Sequence, residues 1–243
     1  MMRTAIQLYT LRDLDVPLPD LLARVGETEF DGVEFAGFGD ATPADVADAL
    51  DETELDVAGA HVPIEELEAN TEAVVKAYQE VGCTRLVVPY LDESNFDSEA
   101  AATETAHRLD ALAERVEAHG ATLSYHNHDH EFTDIGDGTG FDILIAESDV
   151  DIELDVGWVV AAGRDPISLL DTLAGRVPLV HLKDTAAGIP VELGDGDVDL
   201  EACANAARRV GSDWIVYEHD DPDDPEASLV HGSKRMAKLE YRS

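Results

Sequence analysis

The sequence predicts an α/β protein, a single (β/α)8 barrel over residues 1–243. Strand-like apolar runs and helix-like amphipathic runs alternate strictly, eight of each, which argues for a parallel sheet covered by helices. Eight such units in a chain of this length suit a closed barrel of about 250 residues. Polar side chains also stand at the ends of the strand-like runs and not at their starts: Tyr9, Glu34, His61, His126, Asp155, His181 and Glu218, with Pro89 at the fourth. In such barrels the chemistry sits at the C-terminal ends of the strands.

Each element has its own signal. Residues 4–8 form a short apolar strand. Residues 17–26 put Leu18, Leu21, Leu22 and Val25 on one helical face. Residues 32–35 are the second strand, and Pro43 opens the next helix, where a proline suits the first turn. Residues 55–61 are a strand; residues 64–81 are a long helix stopped by Gly82. The β-branched run 84–89 is a strand, and residues 98–119 a helix closed by Gly120. Strands at 121–125, 150–155, 177–182 and 214–217 then alternate with helices at 141–147, 166–173, 199–210 and 225–238. A doubly wound open sheet would need a glycine-rich phosphate loop after the first strand, and residues 6–13 contain no glycine. The longest irregular stretches, 134–140 and 185–197, follow the fifth and seventh strands, as lids or plain surface loops.

Composition narrows the partners. The chain carries 53 acidic and 16 basic residues, a formal net charge of −37. Such a surface repels nucleic acid and anionic membrane, so neither is expected as a partner. The acidic residues are spread along the chain, the pattern of a halophilic acidic protein adapted to concentrated salt. The melting temperature is therefore expected to fall when salt drops from molar to millimolar, as the screening length grows from about 3 Å to tens of Å; an unchanged melting temperature would rule this out. No apolar run approaches the ~18 residues of a membrane span, and Met1-Met2-Arg3-Thr4 leads straight into a strand. A cytoplasmic location is expected. Cys83 and Cys203 have no CxxC spacing and read as buried small apolar residues. Residues 238–243 make too short an arm for a swapped dimer, but the barrel helices leave a homo-oligomer open.

Residues 123–132, Leu-Ser-Tyr-His-Asn-His-Asp-His-Glu-Phe, hold the strongest chemical signal. Imidazole and carboxylate together suit a transition metal or zinc better than calcium. His126, Asp155, His181 and Glu218, each ending a strand-like run, look like one metal site gathered from distant sequence. His128 reads as a substrate contact or base. Glu153 shares the face of Asp155 one layer deeper, by the two-residue period of a strand. Lys183, one of four lysines, stands directly after the seventh strand, where a retained positive group suggests a role with a substrate oxygen or a salt bridge to Asp184 or Asp155. Tyr9 and Trp158 can wall a ligand pocket, with Phe38 and Tyr90 as weaker candidates, and His61 faces the same mouth.

The chain resembles the xylose isomerase-like barrel family of sugar phosphate isomerases and epimerases, with inosose dehydratase-like members. The matching pieces are residues 7–13, Tyr125-His126-Asn127-His128 with Glu131-Phe132, Leu154-Asp155-Val156-Gly157-Trp158 with residues 162–166, His181-Leu182-Lys183-Asp184, residues 194–199 and Tyr217-Glu218-His219-Asp220. The resemblance implies a divalent metal ion, with Mn, Co, Zn and Mg as candidates, and ligands Asp155, His181 and Glu218. At the fifth strand the family more often has a glutamate; here His126 stands in its place. The family's pair of glutamates would move a proton beside a carbonyl, so Glu218 is one expected base and a histidine or Glu131 its opposite number.

The expected activity is therefore metal-dependent isomerisation or epimerisation of a sugar or keto-sugar, through proton abstraction beside a carbonyl and an enediolate. The expected catalytic residues are Glu218, His128, Lys183 and Glu131, with Tyr9, His61 and Trp158 binding a small sugar or polyol. One alternative is a lyase or dehydratase of an inosose or 3-keto-glycoside at the same site. Another is a non-catalytic sugar- or metal-binding protein on the same scaffold. A DNA-repair endonuclease would need more ligands and a basic groove.

Overall fold

The computed structural model describes residues 2–240, without the side chain of Glu240; Met1 and the end of the expected C-terminal arm lie outside the described residues. Eight parallel strands close into a barrel: β1 (Arg3–Gln7), β2 (Gly32–Phe35), β3 (Asp56–His61), β4 (Arg85–Val88), β5 (Thr122–His126), β6 (Asp151–Asp155), β7 (Leu179–Leu182) and β10 (Trp214–Tyr217). β1 pairs with β2 on one side and β10 on the other, which seals the cylinder. Helices α1 (Leu18–Gly26), α2 (Pro43–Thr53), α3 (Ile64–Glu80), α4 (Glu99–Glu117) and α5 (Gly140–Glu147) follow the first five strands. α6 (Val156–Ala161) and α7 (Pro166–Thr172) both follow β6, α8 (Leu200–Val210) precedes β10, and α9 (Pro225–Glu240) follows it. No helix among the described residues is long and apolar enough to cross a membrane.

Strand parity explains both the core and the site. Odd and even residues of a strand face opposite sides. On β5, Leu123 and Tyr125 join the cluster under the helices, while Ser124 and His126 face the barrel interior. On β6, Ile152 and Leu154 pack outward and Glu153 and Asp155 inward; on β7, Val180 and Leu182 pack outward and His181 inward. The floor of the interior is a small apolar cluster of Ala5, Ala58, Val87, Leu179, Trp214 and Val216. Above it the interior turns polar, with Gln7, Glu34, Ser124, His126, Glu153, Asp155 and His181 all buried.

Two local features differ from the expected pattern. The short helix α6 was not expected; it forms because Asp155 caps it, its Oδ1 accepting from the Trp158 N–H at 3.0 Å while Val156 and Val159 are buried. The stretch after β7 is not an irregular loop but a small antiparallel hairpin, β8 (Asp184–Ala186) with β9 (Ile189–Val191). Its returning chain is tied to Asp184, whose carboxylate accepts from the backbone N–H groups of Thr185, Gly194, Gly196 and Val198 at 2.8–3.1 Å.

Candidate metal centre

The C-terminal ends of β5, β6, β7 and β10 bring His126, Asp155, His181 and Glu218 together. Their donor atoms lie within 4.8 Å of one another and all four residues are buried. His126 Nε2 is 3.8 Å from Asp155 Oδ2, and His181 Nδ1 is 3.0 Å from Glu218 Oε2. Asp155 Oδ2 is fully buried, 2.9 Å from the Lys183 ammonium and 3.8 Å from His126 Nε2. Two imidazoles and two carboxylates fit a divalent ion of the Mn-to-Zn series.

Lys183 is fully buried beside this cluster. Its ammonium lies 2.9 Å from Asp155, 3.0 Å from Glu218 and 2.6 Å from Asp220, and 4.7 Å from the centre of the Trp158 ring. Its partners are thus Asp155, Glu218 and Asp220; Asp184 holds the hairpin instead. Burial alone would lower the lysine pKa, but these three carboxylates outweigh it and raise it. Burial works against the charged Glu218 as well; Lys183 and His181 overcome it and hold this carboxyl well below the usual range. Asp220 differs, since burial wins over Lys183 and its pKa is raised. The lysine stem passes directly over Gly157, where an added Cβ would lie 2.8 Å from Lys183 Cβ and Cγ. Gly157→Ala is therefore expected to cost about 1–3 kcal/mol by overpacking and to displace Lys183. Chemical denaturation checks it; a variant as stable as the parent would contradict this packing.

A cavity of about 340 Å³ opens above the cluster. His126, His128, Glu218 and Asp220 reach its wall, and Tyr9 and Tyr90 stand exposed at its rim. His128 lies edge-on to Tyr90 and stacks on Trp158 at 5.7 Å, with its Nδ1 unpartnered. Burial pushes the His128 pKa down to about 2, so the ring is neutral.

The expected residues do not all meet at the cavity. His61 lines it, but its Nε2 turns inward to Glu153 at 3.2 Å. Glu131 is not at the cavity wall. It is fully buried behind it, accepting from the Tyr125 hydroxyl at 2.6 Å and from the His128 N–H at 2.8 Å. That arrangement holds the histidine loop in shape and ties up both Glu131 oxygens. His219 also turns away, accepting from the Asp221 N–H. Phe38 packs on Phe35 and Tyr78 and takes no part in the wall. Sequence reasoning assigned no role to Asp220 or Glu34. Asp220 follows Glu218 by two residues, the one signal it offered; Glu34 is an acidic residue inside a buried strand run.

A profile of the family described as xylose isomerase-like TIM barrel matches residues 20–239. The chain belongs to this family. A curated inosose dehydratase of Lacticaseibacillus casei is 26% identical over 156 residues, covering 53% of this chain and 52% of that enzyme. The chain thus matches about half the length of that relative. A sugar phosphate isomerase/epimerase structure from Parabacteroides distasonis superposes with TM-score 0.83 at 19% identity, over 97% of this chain and 94% of that one. The structure of an IOLI protein with a binding zinc atom matches all of both chains, with TM-score 0.77 at 16% identity. At these identities the structural likeness is one of fold.

Proposed function

We propose that this xylose isomerase-like barrel is a metal-dependent enzyme that removes a proton beside the carbonyl of a keto-sugar or keto-polyol. The observation that carries this reading is the buried His126–Asp155–His181–Glu218 cluster beneath an open cavity. The zinc seen in the IOLI protein supports a metal in this fold. Bound there, the ion would polarise the substrate oxygens and favour the enediolate.

The chain's own residues divide the remaining work. Glu218 reaches both the cluster and the cavity and takes the proton. Lys183 holds the Glu218 carboxylate ionised and ties Asp155 and Asp220 in place; it is a positioning residue and does not reach the cavity wall. His128, neutral and unpartnered at Nδ1, accepts a substrate hydroxyl. Trp158 backs His128, and Tyr9 and Tyr90 offer aromatic faces at the rim to the apolar side of a sugar ring.

Return of the proton to the same or a neighbouring carbon gives an isomerase or epimerase. Loss of a hydroxyl from the next carbon gives a dehydratase. The inosose dehydratase relative and the histidine in place of the usual fifth-strand glutamate favour the second outcome. The experiment is proton NMR of keto-sugars and inososes with metal-loaded protein in D2O. Deuterium gain without water loss identifies isomerisation or epimerisation, and an unsaturated product identifies dehydration. Binding of metal and sugar with neither change would move the protein to the non-catalytic class.

A further inference from the structure

Beneath the metal cluster lies a second, deeper storey of donor groups. Glu153 points into the barrel one step below Asp155 on the same strand, and Glu34 enters from β2; both are fully buried. Three ring nitrogens converge on the single oxygen Glu153 Oε1. His61 Nε2 lies at 3.2 Å, His126 Nδ1 at 3.5 Å, and His181 Nε2 is in close contact. Glu34 Oε2 reaches the same place, 3.6 Å from His61 Nε2 and 2.6 Å from His181 Nε2.

This storey differs from an ordinary buried network in three ways. Its carboxylates have no lysine or arginine partner among the described residues; Lys183 serves only the upper storey. Its His126 Nδ1 is unpartnered in a residue only 2% exposed. The spacing also suits an ion. Ligands around a tetrahedral zinc, with bonds of about 2.0–2.1 Å, lie about 3.3–3.4 Å apart, and three contacts here measure 3.2, 3.5 and 3.6 Å.

We propose that the deeper storey is a second divalent-cation site, held by His61 Nε2, His126 Nδ1 and Glu153 and closed by Glu34. The nitrogen-rich donor set selects zinc or a neighbouring transition metal over magnesium or calcium. His126 presents Nδ1 to this site and Nε2 to the upper one. With both nitrogens coordinated, its ring gives up one proton to solvent. His181 points its Nε2–H at Glu34 and Glu153 and turns Nδ1 upward to Glu218, so carboxylates fix the orientation of this histidine. The deeper site uses Glu153, His61 and Glu34, none of which belongs to the upper cluster.

The test is the zinc content of the whole chain, stripped and reloaded in the presence of a competing chelator that removes weakly held surface ions. About two tightly held ions per chain are expected for the parent. About one is expected for Glu153→Gln and His61→Asn, which remove lower-site ligands, and about one for Asp155→Asn, which removes an upper-site ligand. One ion in the parent, kept in Glu153→Gln and His61→Asn but lost in Asp155→Asn, overturns the deeper site and leaves the upper one standing. No tightly held ion in any protein defeats both. Should the lower-site variants fail to fold, anomalous scattering at the zinc edge from crystals of the loaded parent decides. A peak bonded to Glu153 and His61 supports the proposal, and a lone peak at Asp155 and Glu218 overturns it.

Discussion

Lys183→Met is expected to destabilise the protein by about 3–5 kcal/mol, because removing one partner leaves buried charges uncompensated. Lys183 lies within 3.0 Å of Asp155, Glu218 and Asp220, and two of these are almost wholly buried. Methionine conserves much of the stem packing over Gly157, so the loss reports the charge and not a cavity. Urea unfolding at fixed salt measures it. Added zinc or manganese should recover part of the loss, since a bound cation takes over the neutralisation of Asp155 and Glu218. A change below about 1 kcal/mol would place this lysine among ordinary surface pairs and contradict the electrostatic account of the site.

Glu218→Gln is expected to lower solvent-proton exchange into a keto substrate by about 10²–10⁴-fold, the usual contribution of a positioned general base. The amide keeps the shape of the side chain and its oxygen, so the fall should appear in kcat more than in KM. Asp220→Asn, one step further from the cluster, should weaken turnover less. Equal exchange by Glu218→Gln and the parent would remove Glu218 as the base.

Much of this organisation was legible in the chain. The barrel followed from strict alternation, and the His126–Asp155–His181–Glu218 cluster from polar residues placed where strands end, since parity turns those residues to the interior. Other features depended on contacts that no pattern encodes. Helix α6 exists because Asp155 serves both as an N-cap and as a cluster member, and six residues leave little periodic signal. Glu131 reads as a candidate base from its place after three histidines, yet the turn at residues 130–132 folds it back onto Tyr125. Lys183 stood out because lysine is scarce here, but its choice of Asp155, Glu218 and Asp220 over adjacent Asp184 is set by the hairpin, which occupies Asp184 with backbone donors. Glu34 stood out as a strand-end acid and Glu153 as a residue one layer below Asp155; only the closed barrel shows Glu153 meeting His61, His126 and His181, and Glu34 meeting His61 and His181.

The measurement that tests the central claim most directly is deuterium exchange into an inosose or keto-sugar, followed with the chelated protein and again after metal is restored. The site described here predicts exchange that disappears with the metal, returns with manganese, cobalt or zinc, and is absent from Asp155→Ala and His181→Ala. Exchange that persists through chelation and in both variants would contradict a metal-centred proton abstraction at the His126–Asp155–His181–Glu218 cluster.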